Sequence, residues 1–463
     1  MIKKSIKFIL FFLLAPTVNS FGQQSLTLEQ CRNLAIENNK ALKVVSEQER
    51  VAYYEKKQAY MQYFPKLSAS GTFLHFSDNL HLIGQSSIPT AIPLPPALGL
   101  GNGIPIDEGV RDAIYKAGEV DLSQFWLVGF SLTQPLYAGG RIVAANDIRS
   151  YAMELAKSQK DTKMTDIIVE VDEAYWQVVS LTNKKELAKS YVDLLKKMDS
   201  DIYNMEQEGV ATKADRLSVS VKLNEAEMTL TKATNGVSLS KMLLSQICGL
   251  EVDDNISLAD ENIKAISITD ETTPIGNIDE AIGSRSEIRS LQLASKIYEK
   301  KEKIAFAEYL PTAGLSIGYN WMKPNLHDGL QNRFDGMWNI AVSVKVPLNF
   351  ISSSAKVNAA KAETRMQKFQ YEEAKEKIKL QINQSNYKLI EANKKLAAAY
   401  KNTEKADENL RYANVGFEEG VIPASDALAA HTAWISAHAE LIDAQIDLKL
   451  CKIYLNKALG RKL

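Results

Sequence analysis

Two stretches of this chain, residues 140–208 and 353–419, contain no proline and almost no glycine, and are rich in Ala, Lys, Glu, Leu and Gln. Each runs to about 67 residues, which as one α-helix is on the order of 100 Å long. No compact domain needs such helices, so they are expected to pack lengthwise on others. In the second stretch Leu396, Tyr400, Thr403, Leu410, Ala413 and Phe417 recur at steps of three, four or seven, the spacing of a coiled-coil seam. After each stretch comes a glycine turn, and then a return helix of about 35 residues that runs to Gly249 or Gly460.

Most of the chain's signals occur twice. Tyr63-Phe64-Pro65 returns as Tyr309-Leu310-Pro311, and Gln134-Pro135-Leu136 as Val346-Pro347-Leu348. Closest are the turns, Glu208-Gly209-Val210 followed by Asp215, and Glu419-Gly420-Val421 followed by Asp426. Their order is the same in both halves, which predicts one structural unit duplicated and fused. Matched residues lie 246 apart at Tyr63 and Tyr309 but 212 apart at Pro135 and Pro347, so the first half carries 34 additional residues between two candidate strands. Around residues 84–118 that insertion holds Pro89, Pro93, Pro95, Pro96 and Pro105, and reads as a long loop. From the turns to Gly249 and Gly460 the spacing is 211.

Each half opens with a helical stretch, residues 28–63 and 278–309, closed by a proline that disfavours helix in the residue before it. Strands are then expected at about 66–77, 124–136, 313–323 and 337–348. In the last two, Leu315, Ile317, Tyr319 and Trp321, then Trp338, Ile340, Val342 and Val344, alternate with small or polar residues. Trp126, Val128, Phe130 and Leu132 do the same in the first half, whereas residues 67–76 alternate only weakly. The pattern suits a strand between lipid and water, or a soluble hairpin packed on helices. Export decides in favour of lipid. Residues 1–22 read as a secretory signal, with Lys3 and Lys4, an apolar core from Phe8 to Ala15, and cleavage before Gln23. No later apolar run of about 18 residues offers a transmembrane helix, so a crossing would be made by strands.

A net charge of -1 gives no basic surface for nucleic acid. Cys31, Cys248 and Cys451 are odd in number and scattered, so no disulfide framework or metal spacing is expected, only buried free thiols. Cys31 lies too far beyond the apolar core to be a lipoprotein cysteine. His431 and His438, seven apart, would share a helix face, yet packed or solvated histidines are the expected reading; His75, His81 and His327 show no carboxylate spacing for a site. No P-loop, nucleophile elbow or Cys/His cluster is present, so no catalysis, cofactor or metal is expected.

With Leu26-Thr27-Leu28-Glu29-Gln30, Ala35 and Asn38-Asn39, the Phe64-Pro65 and Leu310-Pro311 pairs, Thr133-Gln134-Pro135-Leu136 with Gly139-Gly140, and the two glycine turns, the chain resembles the TolC-like outer-membrane efflux proteins of Gram-negative bacteria. The resemblance spans essentially the whole mature chain. It implies a mainly α fold with a transmembrane β-barrel contribution: a homotrimer of two-repeat chains, each repeat with two strands, one long helix and two short ones. The trimer would form a twelve-stranded barrel on a long periplasmic helical barrel. On this reading residues 23–250 are the first repeat, 251–277 a linker or small surface element, and 278–463 the second repeat.

The resemblance also implies partners and site residues. A periplasmic adaptor (membrane fusion) protein and an inner-membrane RND or ABC transporter would meet the helical tips, 209–215 and 420–426. Docking would fall to Gly209, Val210, Ala211, Gly420, Val421 and Ile422. Asp426 matches the family's acidic pore ring and would form the gate, while Asp215 would cap a helix. A second acidic position one turn later is Ala429 here, so a double ring is not expected. Trp126, Trp321 and Trp338 would sit in the barrel's aromatic girdle against outer-membrane lipid. Pro423 belongs only to the second tip, and if one tip opens while the other stays fixed, the second is expected to be the one that opens. The competing reading is an exported structural or adhesive coiled-coil protein whose strands merely cap its helices.

Overall fold

The computed structural model describes residues 25–93, 103–261, 277–325 and 331–461. The expected signal segment, much of the 251–277 linker, the middle of the proline-rich insertion and His327 lie outside them. In chain order the elements are α1 (Leu28–Asn38), α2 (Lys40–Tyr60), β1 (Lys66–Leu74), β2 (Leu80–His81), β3 (Ala91–Ile92), β4 (Ile104–Pro105), α3 (Glu108–Ala117), β5 (Glu119–Val120) and β6 (Phe125–Ala138). Next come α4 (Arg141–Gln207), α5 (Lys213–Ile247), α6 (Ile278–Ser284), α7 (Ser286–Phe306), β7 (Thr312–Lys323), β8 (Asp335–Lys345), α8 (Phe350–Glu418) and α9 (Ala424–Ala458). The long helices α4 and α8 have 67 and 69 residues, and both return helices have 35.

These elements form two compact units. The first comprises the described residues of Met1–Glu49, Ala156–Ser290 and Glu372–Leu463, and is helical; the second comprises Arg50–Leu155 and Leu291–Tyr371, and holds the strands. In the strand unit one antiparallel sheet has the order β1-β6-β7-β8. Its register puts one set of side chains in line: Leu67 opposite Leu132, Leu132 opposite Ile317, and Ile317 opposite Ile340. Phe73, Trp126, Val128, Phe130, Tyr319, Trp321, Trp338, Val342 and Val344 continue that face, and all are exposed. The other face presents Ser68, Ser131, Ser316, Asn339 and Ser343, with Ser68 and Ser131 hydroxyls 2.7 Å apart. β1 runs in full register with β6 although its own alternation is weak, because Gly71 and Ala69 serve as small members of the apolar face.

In the helical unit a buried core joins α1, the start of α2, α4, α5 and α9 through Ala35, Leu42, Ile167, Val171, Tyr175, Val178, Leu244 and Ile446. Asp172 is fully buried in it and receives both a 2.7 Å and a 2.6 Å bond from the Arg32 guanidinium. Burial pushes the Asp172 carboxyl up from its ordinary range, against the opposing pull of Arg32. Most of the expected coiled-coil seam is also buried, with Leu396, Thr403, Leu410, Ala413 and Phe417 each under a tenth exposed, whereas Tyr400 is only half-buried.

Three features depart from the sequence expectations. Each opening helix, expected as one piece, is broken, at Asn39 and at Arg285, where ψ swings to 124° and 133°. The breaks recur at matched positions and make matched bonds: Asn39 Nδ2 donates to the Ile247 carbonyl at 2.9 Å, and Arg285 Nη1 to the Ala458 carbonyl at 3.5 Å. These side-chain donors satisfy carbonyls at the ends of the return helices, while at the first break Asn39 Oδ1 accepts from Ala41 and Leu42 N–H at 2.9 and 3.2 Å and so caps α2. Gly249 sits against this junction with φ +71°, and a Cβ there would lie 2.6 Å from Asn38. The insertion is not all loop, since an Asp107 cap starts the ten-residue α3 and short strand pairs, β2 with β5 and β3 with β4, flank it. Finally, Cys31 and Cys248 are not scattered in space but meet in the helical core.

Candidate functional site

The tips lie within the helical unit, where α4 turns into α5 and α8 into α9. At each, a glycine takes a left-handed conformation, φ +76° at Gly209 and +70° at Gly420. The next amides then fold back: Val210 and Ala211 N–H donate to the Met205 carbonyl at 2.8 and 3.1 Å, and Val421 and Ile422 to Gly416 at 2.7 and 3.1 Å. This is the glycine C-cap that satisfies the orphan carbonyls at a helix end. Its geometry turns Val210 and Val421 outward, 73% and 77% exposed. Ala211 and Ile422, expected to dock with them, instead pack against the tip core of Leu195, Ile202, Val219, Phe417, Ala424 and Ala427. A groove of about 320 Å³ separates the two turns, lined by Met205, Val210 and Ala211 on one side and Phe417, Val421 and Pro423 on the other.

The tips differ in how the return helix starts. At the first, Thr212 rather than Asp215 is the N-cap, and Asp215 closes a capping box by accepting from Thr212 N at 3.1 Å and Oγ1 at 2.6 Å. Those bonds hold the Asp215 carboxyl below its ordinary range. The Thr-x-x-Asp spacing was available in the sequence as a helix-start signal. At the second tip Pro423 takes the place of Thr212 and has no side chain to cap with. The Asp426 side chain is consequently left exposed, 3.4 Å from the Ser425 hydroxyl.

Two further ties at the first tip have no counterpart at the matching residues of the second. Arg216 pairs with Glu206 at 3.2 Å and lies 4.5 Å over the Tyr203 ring. At the matching second-tip positions stand Ala427, Phe417 and Asn414. There the polar link is buried: His431, 2% exposed, bonds through Nε2 to Asn414 Oδ1 at 2.7 Å. His438 does not join His431 but bonds to Asp407 at 2.8 Å, and Trp434 Nε1 donates to the same carboxylate at 2.7 Å. Among the described residues no cluster of metal-ligating side chains occurs.

The expected girdle positions Trp126, Trp321 and Trp338 all lie on the exposed apolar face in the strand unit. The Phe73 ring lies tilted with its centroid 4.6 Å from that of Trp126, and Tyr319 meets Trp321 edge-on at 4.4 Å. Among the described residues no helix is long and apolar enough to cross a membrane.

The sequence profile of the outer membrane efflux protein family matches residues 90–250 and 277–461. This chain belongs to that family. It is a family of outer-membrane efflux channels and not of enzymes, and it places the chain in the outer membrane. The fold is similar to that of the outer membrane protein VceC from Vibrio cholerae, with a TM-score of 0.73 at 16% identity over 94% of this chain and 96% of that one. The Campylobacter jejuni outer membrane channel CmeC gives 0.75 at 14% identity, covering 94% and 85%. The open-state outer membrane channel MtrE of Neisseria gonorrhoeae gives 0.72 at 18%, covering 94% and 89%. No curated protein sequence matches the chain.

Proposed function

We propose that this outer membrane efflux protein is the passive exit duct of a tripartite efflux or type I secretion assembly. Three copies would each contribute β1, β6, β7 and β8 to a twelve-stranded barrel, and their long helices would line a periplasmic tunnel. The observation that carries this reading is the sheet itself. Its apolar face is exposed across all four strands, its other face is small and polar, and β1 and β8 each pair on one side only. In lipid each unsatisfied backbone group costs several kcal/mol, so such edges must be closed by further strands, and copies of the same sheet supply them.

At the helical tips, Val210 and Val421 offer a periplasmic adaptor its first apolar contacts, and the inner-membrane RND or ABC transporter supplies the energy. Three Asp426 carboxylates around a narrow axis would attract cations and repel anions. The experiment is single-channel recording of the mature protein refolded into lipid bilayers, where stepwise conductance is expected. A trimer-sized particle that stays electrically silent, even as Asp426→Ala, would overturn the duct.

A further inference from the structure

We propose that Cys31 and Cys248 are oxidised to an intramolecular disulfide after export, clamping α1 to the end of α5 in the first half of the chain alone. The two residues are 217 positions apart, yet both are buried, at 0% and 1% exposure, in the core of the helical unit. Cys248 ends α5 and its Sγ donates to the Cys31 carbonyl at 3.5 Å. Around them stand Ala35, Leu244, Tyr175 and Leu258, an apolar setting with nothing to keep two thiols apart. Cys451 belongs to a different place, half-buried on α9 beside Gln384 and Lys388. An adjacent thiol pair in a protein that works outside the cytosol meets the conditions in which disulfides form and persist. The inference rests on the outer-membrane reading only for that compartment.

With Cys31 as the attacking thiolate, Cys248 is the resolving thiol, and the exchange balances equally with the roles reversed. The oxidant is a disulfide-bearing thiol oxidant of the exported compartment. The Cys31 thiolate attacks one of its sulfurs, breaking that S–S bond and releasing a thiolate, which takes the proton from Cys248. The Cys248 thiolate then attacks the Cys31 sulfur of the mixed disulfide and releases the second oxidant sulfur as a thiolate, protonated from solvent. Two protein thiols lose two electrons, and the oxidant's disulfide gains them. Because both cysteines are enclosed in the folded core, exchange takes place before α1 seats against α5.

The second half has Asn277 and Leu459 at the matching positions and can form no such bond. A disulfide would therefore fix the base of the first hairpin and leave the second unclamped, the same asymmetry seen at the tips.

The test is to purify the full chain from the membranes of an exporting host and denature it without reductant in excess N-ethylmaleimide, then weigh it by mass spectrometry. One adduct, on Cys451, is expected before reduction and three after it, with a linked Cys31–Cys248 peptide in the non-reduced digest. Reductant should lower the thermal midpoint of the wild type by a few degrees, and leave Cys31→Ala/Cys248→Ala unmoved. Three adducts before reduction, or a linkage through Cys451 or to another chain, would overturn the proposal. Conductance recorded on the same sample keeps that failure separate from a failure of the duct.

Discussion

At the scale of single residues, His431 is the group on which pH should act. Its Nε2–H donates to Asn414, which leaves Nδ1 buried and without a hydrogen-bond partner, and burial lowers the imidazole to about 4. Lys197, Asp201 and Glu418 line the small cavity beside it. An unfolded chain takes up the proton near pH 6.5, so its stabilising contribution is complete above pH 6.5 and is lost as pH falls from there through about 4. Thermal unfolding followed between pH 4.5 and 7 should show this loss, up to roughly 3 kcal/mol, and His431→Gln, which keeps a donor for Asn414, should flatten it. Asp426 belongs to the same scale. Asp426→Ala is expected to weaken block by polyvalent cations with little change in stability, because its carboxylate caps nothing. Asp215→Ala should do the reverse, costing about 1 kcal/mol by opening the capping box. Planar-bilayer recording and chemical denaturation distinguish the two. The glycine turns and both aspartates were legible from spacing, whereas the burial of His431 was not, since its partner Asn414 lies on another helix.

At the scale of elements, the sheet makes a sided prediction. Ile340 and Ser343 are three residues apart on β8 and face opposite ways. Ile340→Lys puts a charge on the apolar face and should cost about 2–4 kcal/mol of stability in lipid. Ser343→Lys should insert normally and shift ion selectivity instead. Folding into vesicles, read by protease protection and then by reversal potential, checks both, and equal damage from the two would contradict the assigned faces. Strands β7 and β8 could be read from their alternation because every second residue is large and apolar. β1 could not, since its small residues gain their meaning from the large neighbours of β6. The helix break at Arg285 was equally hidden, since Arg is no helix breaker and its side chain reaches a carbonyl on a return helix distant in sequence; Asn39 adds a local cap, its Oδ1 accepting from Ala41 and Leu42 N–H.

At the scale of the whole molecule, the proposed duct requires three chains. Detergent-solubilised protein should therefore have the mass of a trimer by light scattering or native mass spectrometry, and a monomer that still conducts would refute barrel closure by copies. The sequence by itself determined the length of the helices, the doubled order of signals and the place of each turn. These follow from local physics, in which missing prolines let a helix run, a glycine ends it, and alternation marks a strand. Tertiary structure alone decided that Val210 and Val421 project while Ala211 and Ile422 pack inward. It also decided that His431 is buried against Asn414 of another helix, and that two cysteines 217 residues apart share one core. Each of those outcomes depends on which distant side chain a residue faces, and spacing along the chain carries no record of that.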